Sequence, residues 1–260
     1  MSHPLLEEAV AAAREAGAAI RALYADRKVL KEKSAGNPLT EADLAADAIL
    51  SARLRDRHPD FGWLSEETAD DSSRLRLSTS WIVDPLDGTK EFTEGVPEFV
   101  VSIGLVHGGL PVMGVLFNPI TGELFTGLVG EGATLDGAPV RVSAHDALDG
   151  ARVACSATEL RRGDLVTPTE FTLLPIGSVA YKLGLVAAGR VDANFTPNPR
   201  NAWDIAGGVA CVLAAGGRVT NGVGQELRFD RLSPLFEDGL YASNGAFHGV
   251  FLARCGSARV

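Results

Sequence analysis

The stretch Trp81–Thr89, WIVDPLDGT, decides how the rest of the chain is read. Three apolar residues, Trp81, Ile82 and Val83, run straight into Asp84, Pro85, Leu86, Asp87, Gly88 and Thr89. Read locally, this is a strand that ends in a turn, because proline and the Asp-Gly pair are turn formers and both carboxylates could face water. Read chemically, two carboxylates fixed at the end of a buried strand can hold a metal ion. The surrounding sequence has to decide.

With 260 residues, the chain suits one large domain or two closely packed ones, at roughly 100–200 residues per domain. A composition of 46% hydrophobic and 22% charged residues is that of an ordinary globular protein. Its apolar runs are interrupted well short of the roughly 18–20 residues of a membrane helix. The opening MSHPLLEEAV carries acids where a signal peptide has positive charge. The expectation is a cytoplasmic protein with no membrane partner. Cys155, Cys211 and Cys255 have no CxxC spacing and read as reduced thiols. The five histidines stand singly. A net charge of −9 argues against a nucleic-acid polymer as partner. An anionic ligand would need local neutralisation.

Leu5, Leu6, Ala9, Val10, Ala13, Ala16, Ile20 and Leu23 recur at helical spacing and predict an opening amphipathic helix. Asn37-Pro38 breaks the chain, and a second helix starts near Thr40 with Leu44, Ala48 and Ile49 turned inward. Phe99–Val106 and Val112–Phe117 flank His107-Gly108-Gly109 and predict a hairpin. Short strands follow at Glu123–Val129 and Val140–Val142. From about residue 146 the texture changes. Strands at Arg152–Ser156, Thr172–Ile176, Asp192–Phe195, Arg218–Thr220 and Leu240–Ser243 alternate with helices at Ser178–Ala188 and Asp204–Ala215, the latter closed by Gly216-Gly217. The predicted organisation is residues 1–145, helices plus an antiparallel sheet, and residues 146–260, an α/β half.

Several acids stand where an element begins or ends. Glu66 and Glu67 follow Phe61-Gly62-Trp63-Leu64, Asp84 and Asp87 follow Trp81-Ile82-Val83, and Asp204 opens WDIAGGVACVLAAGG. Asp43 sits in the first turn after Thr40, in a T-x-x-D spacing. Each has a plain structural explanation: a capping box for Asp43, the helix dipole for Asp204, a solvated loop for Glu66 and Glu67. Together they are better explained by hard cations, which take oxygen ligands, and two such ions about 3.5–4 Å apart serve phosphate-ester hydrolysis. Gly88 lets backbone approach closely, and Thr89–Glu94 could begin a short helix whose free N–H groups face a phosphate. Metal ions among the acids would supply the local neutralisation an anion needs here. A haloacid-dehalogenase-type nucleophile is excluded by register, since that motif is D-x-D-G-T and this chain has D-x-x-D-G-T.

With LSEE (64–67), WIVDPLDGTKEF (81–92), WDIAGGVACVLAAGG (203–217) and, more weakly, NPLTEAD (37–43) in this order and spacing, the sequence resembles the inositol monophosphatase superfamily over nearly its whole length. The resemblance implies an α/β (α+β) fold, a layered αβαβα sandwich, often dimeric. It implies Mg²⁺ as cofactor, two ions with a third, looser one near Glu66. Glu66, Asp84 and the Leu86 carbonyl would serve one ion, and Asp84, Asp87 and Asp204 a second. Gly88 and Thr89 would donate to the phosphate. Asp43 would hydrogen-bond Thr89, and that pair with Glu66 would position and activate the attacking water. Hydrolysis would be in line, without a covalent intermediate, on a small phosphorylated metabolite.

Two departures stand out. Leu213-Ala214 precede the closing Ala215-Gly216-Gly217, where the family commonly has an acid. DPLDGTKEF and the Tyr181-Lys182-Leu183 triplet are most similar to bacterial 3′(2′),5′-bisphosphate nucleotidases, yet Thr93-Glu94-Gly95-Val96-Pro97 replaces the basic pair usual after KEF. On the nucleotidase resemblance, Lys182 approaches the same mouth as Asp204. With Arg200 it would meet the second phosphate of 3′-phosphoadenosine 5′-phosphate. The plain alternative for Lys182 is a stem on an apolar face with its head in water. The expectation is 3′-phosphoadenosine 5′-phosphate or a similar small bisphosphate first, with inositol 1-phosphate or a related sugar phosphate as runner-up. A catalytically silent phosphate-binding regulator is the other class, which loss of a ligand or of the Thr89–Asp43 pair would favour.

Overall fold

The computed structural model describes residues 3–34, 37–165 and 168–256. Its centre is a seven-stranded sheet in the order β3-β4-β5-β6-β7-β8-β9: Gly62–Ser65, Thr79–Asp87, Val100–His107, Leu110–Phe117, Leu124–Leu128, Gly132–Leu135 and Ala138–Val140. All pairs are antiparallel except β3 with β4, which is parallel. Strand β4 explains its own sequence. Trp81 and Val83 point into one core and Ile82 into another, so both faces are covered and the strand reads as an unbroken apolar run.

On the first face lie α1 (Pro4–Leu23) and α2 (Glu41–Leu50), joined by the hairpin β1–β2 (Val29–Ser34 with Asn37–Thr40). Ala9, Ala12, Ala13, Ala16 and Ile20 of α1 pack on this face. The inward residues of α2 are Ala42, Asp43, Ala46 and Leu50, not the Leu44 and Ala48 expected from periodicity, which are exposed. The cause is Asp43: an acid occupies the inner face, so the apolar pattern alone selects the wrong side.

The second face carries α5 (Val179–Ala187) and α6 (Ala202–Ala214). Beyond them is a five-stranded sheet, order β11-β10-β12-β16-β14: Thr172–Pro175, Arg152–Cys155, Ala193–Thr196, Leu240–Ser243 and Arg218–Thr220. Phe247 and Phe251, from α7 (His248–Cys255) and its start, cover its far side with Phe195 and Tyr241. The layers are therefore αβαβα, as the resemblance implies. Among the described residues no helix is long and apolar enough to cross a membrane.

Helix α6 lies unusually close to the central sheet. Gly104, Gly114 and Gly127 are register partners on β5, β6 and β7 and form a stripe beneath it. A Cβ on Gly114 would stand 2.0 Å from the Gly207 carbonyl oxygen, and one on Gly104 2.8 Å from Ala206. Gly207 on the helix side has the same constraint, 2.8 Å from the Ile103 carbonyl oxygen. Glycine here serves close approach, and that approach sets where α6 begins.

Candidate active site

Strand β4 ends at Asp87, Gly88 adopts a left-handed φ of 104°, and α3 (Thr89–Glu94) starts at once. A side chain on Gly88 would press within 2.9–3.2 Å of Glu98 and Phe99, so both the turn and the packing require glycine. The first-turn N–H groups of α3 have no acceptor within their own helix and open onto a cleft of about 300 Å³. Glu66, Asp84, the Leu86 backbone, Asp87, Gly88, Thr89, Lys182, Arg200 and Asp204 all line it. Helix α6 starts at Ala202, two residues earlier than predicted, so Asp204 is its third residue and reaches back to the Asn201 N–H at 3.1 Å.

Asp84, Asp87 and Asp204 each offer an oxygen within 4.8 Å of the others. Each also anchors another oxygen contact on the chain. Asp84 Oδ1 accepts from the Leu86 N–H at 2.9 Å, and Asp87 Oδ2 from the Ala180 N–H at 2.6 Å and from the Ser178 hydroxyl. The turn, α5 and α6 thus hold the three carboxylates face to face. Burial pushes all three above the ordinary carboxylate range, and neighbouring charge adds to it: Glu66, Asp87 and Asp204 on Asp84, and Asp87 and Glu66 on Asp204, which is pushed up to about 8. Crowded, all-oxygen and anionic, the donor set fits a hard divalent cation such as Mg²⁺.

Glu66 lines the cleft but stands outside this triplet. Its Oε1 accepts from Lys33 Nζ at 2.8 Å, and Lys33 also holds Glu67. Burial pushes the Lys33 ammonium down, and the two glutamates more than offset it, so its net shift is upward. Sequence reading missed Lys33 because its strand, β1, was not predicted. Nothing in Val29-Leu30-Lys31-Glu32-Lys33 alternates apolar with polar to mark it as a strand.

Asp43 makes both of the contacts considered for it. Oδ2 closes the capping box, accepting from the Thr40 N–H (2.8 Å) and hydroxyl (2.6 Å), while Oδ1 accepts from the Thr89 hydroxyl at 2.8 Å. Burial raises its pKa, and the Thr40 and Thr89 hydrogen bonds work against that rise. The Thr89 oxygen lies also 3.0 Å from the Leu86 carbonyl, but it has one proton to give. A bond to the carboxylate is charge-assisted and stronger. With its proton so committed, the hydroxyl presents lone pairs to the cleft.

Lys182 does not send its head to water. It is 2% exposed, donates to the Ile176 carbonyl at 3.0 Å, and burial pushes its pKa down to about 8 against the opposing pull of Asp87. Arg200 is tied by ion pair to Glu159 and donates to the Thr196 hydroxyl at 2.8 Å. Glu159 was not anticipated from sequence. Nothing local marks it, since its partners Thr196, Asn198 and Arg200 lie some forty positions on.

Comparison with known proteins agrees with this geometry. The inositol monophosphatase family profile matches residues 1–255. Inositol monophosphatase 3 of Solanum lycopersicum is 37% identical over 233 residues, covering 85% of this chain and 87% of that protein. The extragenic suppressor protein suhB from Bartonella henselae superposes with a TM-score of 0.84 at 31% identity, covering 99% of this chain and 100% of that one. CysQ from Bacteroides thetaiotaomicron, a bacterial member of the inositol monophosphatase family, gives 0.76 at 33% identity over 92% and 96%. The chain belongs to the inositol monophosphatase family and, with it, to the magnesium-dependent phosphoric monoester hydrolases.

Proposed function

We propose that this hydrolase removes the phosphate of a small polyol monophosphate, with inositol 1-phosphate the first candidate, and that Glu66, Asp84, Asp87, Asp204 and the Leu86 carbonyl hold its magnesium. Bound there, magnesium would neutralise the carboxylates and polarise the ester for in-line attack. The backbone N–H groups of Gly88 and Thr89 would donate to the phosphate at the start of α3. Thr89, its hydroxyl directed at Asp43, would accept a hydrogen bond from the attacking water and, as that water attacks, take its proton while passing its own to the Asp43 carboxylate, and Glu66 would help orient that water.

The observation that carries the substrate reading is the state of the three cations that line the cleft. A second phosphate needs available positive charge, yet Lys182 is buried with an N–H on the Ile176 carbonyl, Arg200 is paired with Glu159 and bonded to Thr196, and Lys90 is bonded to Thr158 and faces Glu94 at 3.9 Å. A neutral polyol makes no such demand. The names of the sequence relatives, inositol monophosphatase 3 of Solanum lycopersicum among them, also support it. A 3′(2′),5′-bisphosphate nucleotide is the second reading, favoured because all three cations line the cleft. The test compares kcat/KM for inositol 1-phosphate and 3′-phosphoadenosine 5′-phosphate in wild type, Lys182→Ala and Arg200→Ala. Inositol 1-phosphate should win, with its advantage altered less than about tenfold, or about 1.4 kcal/mol, by either substitution. A bisphosphate preference that collapses in the variants would overturn the polyol reading and leave the hydrolase standing.

The water-holding pair has its own test. Thr89→Ala should lower kcat by about 10²–10³ with little change in KM, since its work is done in the transition state. Asp43→Ala should do the same and also lose about 1 kcal/mol of helix capping. The double variant should be no slower than the worse single one. Multiplied losses would reduce Asp43 to a cap.

A further inference from the structure

A second concavity, about 590 Å³ against 300 Å³ for the catalytic cleft, opens between the end of α2 and the segment joining β3 to β4. Its lining includes Arg55, Phe61, Trp63, Arg76 and Leu77 and shares no residue with the catalytic cleft.

Three observations point to a ligand. The first is charge. On the same turn as Arg55, Arg53 pairs with Glu15 at 2.7 Å and Arg57 with Glu8 at 3.7 Å, and nearby Arg74 pairs with Asp70 at 2.9 Å. Arg55 and Arg76 have no carboxylate in ion-pairing distance among the described residues, in a chain with 33 acids to 24 bases. Asp56 and Asp71 share the rim; Asp71 accepts from the Ser73 N–H at 2.9 Å and feels the Arg76 charge from beyond ion-pairing distance. The second is the floor. Phe61 and Trp63 are half-buried rings, and the indole Nε1 of Trp63 is buried without an acceptor. Both rings line the groove and offer apolar faces to a planar ligand. The third is rigidity. A Cβ on Gly62, between the two rings, would stand 2.3 Å from the Ser80 hydroxyl and 2.9 Å from the Arg74 Cα, so the floor is held against β4 before anything binds.

We propose that this groove binds a planar aromatic anion of nucleoside-monophosphate size, its ring against Phe61 and Trp63 and its phosphate between Arg55 and Arg76. Guanidinium forks match phosphate oxygens and aromatic faces accept a base, and the volume lies within the range of small-molecule sites. Strand β3 carries Trp63 and ends at Ser65, one residue before Glu66 of the catalytic cleft.

The test is equilibrium titration of the magnesium-loaded enzyme with adenosine 5′-monophosphate, read by tryptophan fluorescence and by calorimetry. Saturable binding should persist in Asp204→Asn, which damages only the catalytic centre. It should weaken at least about tenfold in the Arg55→Ala/Arg76→Ala double variant, whose kcat/KM for the phosphate-ester substrate stays that of wild type. Trp63→Phe should remove the fluorescence response while calorimetry still reports binding. Affinity unchanged by the double variant, loss of binding in Asp204→Asn, or no saturable binding into the millimolar range would each overturn the proposal.

Discussion

Asp204→Asn is expected to cut kcat/KM by about a thousandfold or more while making the metal-free protein more heat-stable. The loss follows from removing one charged donor of a cation site, where metal stabilisation of the transition state is worth several kcal/mol and each 1.36 kcal/mol is about tenfold. The gain follows from proton linkage. Asp204 titrates at about 8 in the folded protein, against an ordinary 3.8. The folded state binds that proton more tightly, so the stabilisation is fully present below pH 3.8 and is lost as pH rises through about 8. At neutral pH the apoprotein therefore holds this carboxyl largely protonated, at a cost relative to the unfolded chain where it ionises freely, and asparagine, neutral in both states, removes that cost without removing the shape. A relief of about 2 kcal/mol would raise Tm by roughly 4–8 °C in a chain of this size. Magnesium should raise the Tm of wild type and do far less for the variant, and chelator should abolish wild-type turnover. Retained activity, or a lower apo Tm in the variant at pH 7.5, would refute the assignment of Asp204.

The second large effect is expected far from the mouth. Gly114→Ala places a methyl 2.0 Å from the Gly207 carbonyl, which belongs to helix backbone and has nowhere to yield. Overpacking of this kind costs about 1–3 kcal/mol and occasionally more. Relief requires α6 to lift from the sheet, and Asp204 rides on its first turn. The variant should therefore lose both stability and most of its kcat, with a raised magnesium requirement. Gly249→Ala in α7 meets nothing within 4 Å and should be neutral or stabilising by up to about 1 kcal/mol, as alanine favours helix over glycine. Circular dichroism melts and magnesium titrations of activity separate the two. A Gly114→Ala enzyme with wild-type Tm and kcat would show that the stripe does not position α6.

What the sequence reveals follows from how local each signal is. WIVDPLDGTKEF is legible because strand, turn and helix succeed one another within twelve residues: α3 spans Thr89–Glu94 as expected, and the β5–β6 hairpin needs only its glycine turn and flanking apolar runs. Asp204 is found by its place at the start of an apolar helix. β1 escapes because its described residues are exposed or half-buried and impose no apolar rhythm, and β2, though buried, is four residues long and holds a proline; Lys33 goes with them. The inner face of α2 is misread because its central residue, Asp43, is a buried acid. The glycine stripe is silent for another reason. Glycines ten and thirteen residues apart have no meaning until strand register sets them side by side.

That stripe has a consequence for how the enzyme can change. The distance from Asp204 to the end of β4 is a property of the hydrophobic interior, fixed by three missing methyl groups beneath α6. Lys90, Pro199 and Arg200 line the same cleft but take no part in that spacing. On the proposed reading, the acids that hold the metal would be fixed from the interior and the groups that meet the alcohol from the rim, so substitutions on the rim could alter substrate choice without moving Asp204.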